Sequence, residues 1–186
     1  MNILIIGPPG VGKGTQAKLI KSKLGIIHLS TGEILRKEIE NKTETGIEAK
    51  FYIDKGEFIP DLTILEIIQR RLACSDCSNG YILDGFPRTL PQAIGLDRII
   101  IELNQNLDIA ISLTADEKIL ERRLIDRSLK DNRSDDMPSI IKKRQKIYWK
   151  QTAPLLRFYK SKGILEPVNG LGEIHQITNN IMNLFK

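Results

Sequence analysis

Short runs of consecutive apolar residues alternate along the chain with longer segments in which apolar residues recur every three or four positions. The clearest runs are Asn2 to Ile6, Tyr81-Ile82-Leu83 ending at Asp84, and Asp108 to Leu113. Ile26-Ile27 predicts a short strand, and Ile164-Leu165 with Val168 a last edge strand. Runs that are apolar on consecutive residues are buried on both faces, as in parallel sheets. Thr15 to Leu24, Asp61 to Leu72, Pro91 to Leu103 and Ala115 to Arg127 carry the helical spacing. This alternation predicts an α/β fold, a doubly wound parallel sheet of about five strands with right-handed crossovers, in a single domain over residues 1–186.

Two stretches break the rhythm. Thr31 to Pro60 holds helical segments and turns but no long strand, and Ser128 to Pro138 is polar and charged, as in an exposed flap. Insertions after the strands of an open sheet sit at the carboxyl ends, where ligands bind. Residues 30–59 and 128–138 are therefore expected to be inserts that move. From Ile140 to Lys162 the pattern is helical again, with Pro154 predicting a kink or a new helix and Gly163 a stop.

Composition narrows the possibilities. Hydrophobic residues make up 41% and charged residues 27% of the 186 positions, enough for a core and a solvated surface. The net charge of +5 suits an anionic partner without choosing among nucleotide, nucleic acid and membrane surface. No block of five or six like charges marks a nucleic-acid tail, and no apolar run has transmembrane length. Met1 leads directly into the first strand, leaving no room for a leader, so a cytoplasmic protein is expected. Cys74 and Cys77 form a Cys-x-x-Cys that reads as a redox pair, half a metal site or two ordinary thiols; His28 and His175 are the remaining soft ligands and stand apart. Ordinary thiols in a reducing compartment are expected, with no zinc.

The strongest chemical signal follows the first strand: Gly7-Pro8-Pro9-Gly10-Val11-Gly12-Lys13-Gly14-Thr15, opening a helix. Glycines let the backbone curl so that N–H groups face phosphate oxygens, the helix start adds its positive end, and Lys13 brings a mobile charge to the outer phosphates. A glycine-rich turn alone would carry none of this; strand, loop, Lys and helix in order do.

The second signal is Asp84-Gly85-Phe86-Pro87-Arg88-Thr89, directly after a buried strand, with Gln92 nearby. A carboxylate at a strand end beside a phosphate loop suits Mg²⁺ or its waters. Arg88 forks onto phosphate, and the Gln92 amide offers the donor–acceptor pair that adenine matches. Leu29-Ser30-Thr31-Gly32-Glu33-Ile34-Leu35-Arg36 places a hydroxyl at a helix start and a guanidinium a turn later; alone it reads equally as a capped surface helix. Gly56-Glu57-Phe58-Ile59-Pro60-Asp61 alone reads as a turn before a helix. Arg123 and Arg127 share a helix face, with Arg133 in the flap and Arg144 on the next helix. Without the phosphate loop these arginines would read as a solvated face; with it, they converge on nucleotides.

Taken together, the Gly12-Lys13-Gly14-Thr15 variant of the loop, the Thr31–Arg36 and Gly56–Asp61 segments and Asp84–Thr89 resemble the short-lid adenylate kinases of the nucleoside monophosphate kinase family, in the family's order and over nearly the whole chain. The resemblance implies reversible transfer of a phosphoryl group from ATP to AMP, giving two ADP and maintaining adenine nucleotide balance. It implies ATP at Gly10, Val11, Gly12, Lys13, Gly14, Thr15, Arg123, Arg127 and Gly172. It implies AMP at Thr31, Arg36, Glu57, Phe58, Ile59, Gly85, Phe86, Pro87, Arg88, Gln92, Arg133 and Arg144. Lys13, Arg88, Arg127, Arg133 and Arg144 would be catalytic, Thr15 and Asp84 would hold Mg²⁺ through water, and Asp135-Asp136 would hold the lid arginines. The zinc-bearing insertion of long-lid members is missing. A monomer acting on small nucleotides, without nucleic-acid or membrane partners, is implied. Glu33 replaces the family's usual Asp, and Asn132-Arg133 its frequent Gly-Arg.

A UMP/CMP kinase on the same scaffold is the nearest rival, but that family tends to Ala and Asn where Thr31 and Thr89 stand. A silent nucleotide-binding regulator would have lost Lys13 or the arginines. An RNA-binding protein would need an aromatic strand face, whereas aromatics are 5% and scattered.

Overall fold

The computed structural model describes residues 1–131 and 134–185. Among them, five strands form one parallel sheet: β1 (Asn2–Ile6), β2 (Ile27–Ser30), β3 (Tyr81–Asp84), β4 (Ile109–Thr114) and β5 (Leu165–Asn169), ordered β2-β3-β1-β4-β5. The fold class is as expected. Alternate side chains of β1 go to opposite faces. Leu4 and Ile6 join Leu83, Ile68, Leu72, Leu96 and Tyr159 in one apolar layer. Ile3 and Ile5 join Ala17, Ile20, Ile82, Ile111, Ile177 and Ile181 in the other. Both faces of the sheet are thus covered, which is why the strands read as continuous apolar runs.

Helices fill the crossovers. α1 (Lys13–Leu24) leads from β1 to the edge strand β2. α2 (Thr31–Glu40), α3 (Glu44–Asp54) and α4 (Asp61–Leu72) return the chain to β3. α5 (Leu90–Glu102) reaches β4, and α6 (Glu117–Asp131), α7 (Pro138–Ile147) and α8 (Leu155–Ser161) precede β5; α9 (Ile174–Met182) closes the second layer. In register, Ile5 of β1 stands opposite Asp84 of β3. The loop leaving β1 and the loop leaving β3 therefore emerge side by side.

Several boundaries differ from the sequence reading. α1 begins at Lys13 rather than Thr15, with Gly12 at φ 98° as its cap, so the phosphate-loop lysine sits in the first turn. The Thr31 hydroxyl stands at a helix start, as read, but Ser30 is the cap of α2, accepting from Glu33 N–H at 3.4 Å. The region 128–138 is less loop-like than its polarity suggested: α6 runs to Asp131, and Ser134–Asp136 forms a 3-10 turn. Between α7 and α8 the chain widens into a π turn at Tyr148–Thr152, where Ala153 N–H donates to Tyr148 O at 2.9 Å, ahead of Pro154.

Leu4 is fully buried at the centre of the sheet, opposite Leu83 on β3 and Ala110 on β4. Leu4→Ala should cost about 2–5 kcal/mol of unfolding free energy, read as a lower denaturant midpoint at unchanged slope.

Candidate active site

The phosphate loop owes its shape to glycine. Gly10 has φ 85°, and a Cβ there would meet the Leu120 carbonyl oxygen at 2.8 Å. Lys13 lies back along the loop, its Nζ donating to the carbonyls of Gly7 at 2.7 Å and Pro8 at 3.1 Å. Burial pushes the Lys13 ammonium from 10.5 down to about 8; Asp84 opposes this, while Arg88, Arg144 and Arg127 add to it.

Asp84 ends β3 and is 8% exposed. Its Oδ2 lies 3.3 Å from Nε2 of His28, which β2 brings alongside. Burial alone would raise its pKa, but the His28 hydrogen bond and the charges of Lys13, His28 and Arg88 outweigh it and hold the carboxyl below its usual value. Thr31 Oγ1 donates to the Asp84 carbonyl at 3.3 Å, tying the start of α2 to the same strand end.

Arg88 is folded against its own turn, Nε donating to Gly85 O at 2.5 Å, with its guanidinium 5.2 Å from the centre of the Phe58 ring. Burial pushes it down to about 10; Arg144 and Arg36 add to this, and Asp84 and Asp135 oppose it. Thr152 Oγ1 anchors the Arg88 carbonyl at 2.8 Å. Glu57 accepts from Lys143 Nζ at 2.6 Å, linking the turn before α4 to α7. The Gln92 amide accepts from Arg88 N–H through Oε1 at 2.7 Å and donates through Nε2 to Asp61 Oδ1 at 2.7 Å.

A fully buried carboxylate organises the remaining arginines. Asp136 accepts from Arg127 Nε at 2.6 Å and Nη2 at 2.7 Å, and from Arg144 Nη1 at 2.7 Å. Arg144 also pairs with Asp135 Oδ2 at 2.9 Å. Arg123 Nη1 donates to Gly170 O at 3.2 Å.

These groups line one cleft of about 1020 Å³. On one side stand Gly10, Val11, Gly12, Lys13, Gly14, Thr15, Arg123, Arg127 and Gly172; on the other Thr31, Arg36, Glu57, Phe58, Ile59, Gly85, Pro87, Arg88 and Gln92, with Arg144 and Asp84 between Lys13 and Arg88 in the network of charges. Phe86 is the exception: its ring packs in the apolar layer with Leu4 and Leu83 instead of facing the cleft. Arg133 lies outside the described residues. His28, Asp61 and Lys143 carry contacts the sequence did not assign. His28 could have been found only by pairing β2 with β3.

The donor set around Asp84 is a test for a divalent cation. Asp84 and the Thr15 hydroxyl are hard oxygen donors, and Asp84 Oδ2 lies where a Cβ on Gly14 would meet it at 3.4 Å, against the loop. No cluster of three or more His, Cys, Asp or Glu among the described residues is placed to hold a metal. The two oxygen donors, Asp84 and Thr15, fit Mg²⁺, which keeps its waters and leans on substrate phosphates. Cys74 is exposed and Cys77 buried, and burial pushes the Cys77 thiol up to about 11.

A glycine loop with a half-buried lysine, facing a second arginine-lined half across the ends of two parallel strands, defines a phosphoryl-transfer enzyme. Comparison with known proteins narrows this. The family model for adenylate kinase matches residues 5–164. An adenylate kinase from Leptospira biflexa is 48% identical over 97% of both chains, and one from Bifidobacterium longum 46% over 98% of both. One from Thermobifida fusca is 42% identical, covering 100% of this chain and 98% of its own. The chain belongs to the adenylate kinase family and is a phosphotransferase.

Lys13 gives a pH signature. Between about 8 and its ordinary 10.5, the folded protein holds this group neutral while the unfolded chain keeps it charged. Its contribution to stability therefore rises with pH across that window and is smallest below it. A phosphate at the loop favours the charged form. Near pH ~9, ATP binding should take up a fraction of a proton, measured by calorimetry in buffers of different ionisation heat, and Lys13→Met should abolish the uptake. Uptake that persists in the variant would assign the proton elsewhere.

Proposed function

We propose that the chain catalyses reversible, Mg²⁺-dependent transfer of the γ-phosphoryl group of ATP to AMP, with ATP at the Gly10–Thr15 loop and AMP at the Thr31, Phe58, Arg88 and Gln92 side. The observation that carries this reading is the joining of the two halves in one cleft across the neighbouring ends of β1 and β3. An AMP phosphate has a second pKa near ~6 and is mostly dianionic at neutral pH, so no general base is required. One of its oxygens attacks the γ-phosphorus; a new O–P bond forms as the bond from γ-phosphorus to the β,γ-bridging oxygen breaks, and two ADP result.

What remains is alignment and charge. Lys13 follows the outer phosphates of ATP. Arg88 and Arg36 hold the AMP phosphate, and Arg127 and Arg144 span the transferring group. Arg123 and Gly172 border the ATP base, and Glu57, Phe58, Ile59, Gly85 and Pro87 wall the AMP side. Asp84 and Thr15 would hold Mg²⁺ through water, which would supply positive charge to the phosphates. Residues 30–59 and the described parts of 128–138 act as moving segments that exclude water; Arg133 lies outside the described residues. Both nucleotide sides come from one chain, which supports a monomer. Soluble substrates and free thiols support a cytoplasmic setting. Among the described residues no helix is long and apolar enough to cross a membrane.

A coupled assay of ADP formation against AMP, GMP, UMP and CMP tests the reading; AMP should be preferred, and faster use of a pyrimidine monophosphate would refute it. Lys13→Met and Arg88→Ala should each lower turnover by roughly two to three orders of magnitude in folded protein, as removal of transition-state charge does.

A further inference from the structure

Gln92 faces the cleft yet is only 3% exposed, and both ends of its amide are occupied by the protein itself. Oε1 accepts from the backbone N–H of Arg88 at 2.7 Å, and Nε2 donates to Asp61 Oδ1 at 2.7 Å. The same Asp61 oxygen accepts from Thr89 Oγ1 at 3.0 Å. Thr89 in turn caps α5 by accepting from Gln92 N–H at 3.3 Å. Asp61 is the first residue of α4, so the contact ties the start of α4 to the start of α5.

A primary amide is nearly symmetric in shape, and its two orientations are normally told apart only by their partners. Here the partners leave no choice. A backbone N–H only donates, and a carboxylate only accepts. Turning the amide over would set oxygen against oxygen at Asp61 and hydrogen against hydrogen at Arg88. In the orientation that remains, Nε2 keeps a second hydrogen and Oε1 a second lone pair for a ligand.

We propose that Asp61 is a positioning residue that locks the Gln92 amide and thereby makes the acceptor site select adenine over 6-oxopurines. The inference rests on the reading of this half of the cleft as the AMP side. Adenine presents N1 as acceptor beside the N6 amino donor. Hypoxanthine presents the reverse, an N1–H donor beside the O6 acceptor. Ribose and phosphate fix the direction of the base, so the purine does not turn to suit the amide. The locked amide matches adenine, and matching hypoxanthine requires the turn that Asp61 and Arg88 N–H oppose. Asp61 touches neither substrate; it acts through Gln92.

The test is the ratio of kcat/KM for AMP over IMP, with ATP saturating, in wild type and Asp61→Asn. The asparagine has nearly the same shape but offers an amide that donates or accepts, so the Asp61 half of the lock is lost and only the Arg88 N–H still opposes the turn. The ratio should fall about tenfold, the order expected for one hydrogen bond gained and one lost, through a higher KM for AMP and a lower KM for IMP. An unchanged ratio in folded Asp61→Asn, or equal losses with both substrates, would overturn the proposal and leave Asp61 a structural role. A measurement on wild type stands if the variant does not fold: the Gln92 side-chain amide protons should exchange with solvent far more slowly than those of exposed Gln151. Exchange as fast as Gln151 would overturn the lock. Failure of the wild type to phosphorylate AMP would instead sink the underlying reading as well, and is visible before any variant is made.

Discussion

Positive charge held close together and away from water is the constraint on which the cleft depends. Lys13 and Arg88 are both half-buried, and both are pushed towards their neutral forms by desolvation and by neighbouring guanidiniums. Such an arrangement survives in a folded protein only where fixed carboxylates offset it. Asp84 does so at the end of β3, and Asp136 does so between Arg127 and Arg144. The carboxylates soften the repulsion without cancelling it, and polyanionic nucleotides complete the balance. Binding and catalysis then draw on one source, because the charge that recruits phosphate is the charge that stabilises its transfer.

The parallel sheet makes this arrangement possible. Its central strands are buried on both faces, so their carboxyl ends are rigid, and the register of β1 with β3 sets the phosphate loop beside Asp84 and Arg88. The other half is built from α2, α3 and the turn before α4, which lean on this frame through the Thr31 contact to Asp84 and the Lys143 contact to Glu57. A floor fixed by the sheet, with walls that touch it through a few side-chain contacts, suits a reaction between two nucleotides.

Much of this was legible in the sequence because its signals are contiguous. The loop from Gly7 to Thr15 and the segment from Asp84 to Thr89 each carry their chemistry within one turn of chain, and the apolar runs that precede them announce buried strands. What was not legible depends on contacts between distant residues. His28 looked isolated until β2 was laid against β3, and Asp61 looked like an ordinary helix start until it met Gln92. Local ambiguity accounts for other differences. Ser30 and Thr31 are adjacent hydroxyls that both suit a cap, and only the backbone angles assign it. Phe86 sits within a functional motif but packs in the core with Leu83, because Gly85, at φ 83°, ends the alternation of β3 just before it. The polarity of 128–138 suggested a loop, yet an exposed helix end is equally polar, and its Asp136 is buried because two arginines accompany it.

A single cleft that takes both nucleotides at once, end to end, under a shared field of positive charge has a direct calorimetric signature. Calorimetric titration with two adenosines joined through a five-phosphate bridge tests it most directly. One molecule should bind per chain, displace both ATP and AMP, and exceed the affinity of either by orders of magnitude, because the second half binds at high effective concentration. Affinity no greater than that of ATP alone, or AMP still binding to the saturated protein, would contradict the account.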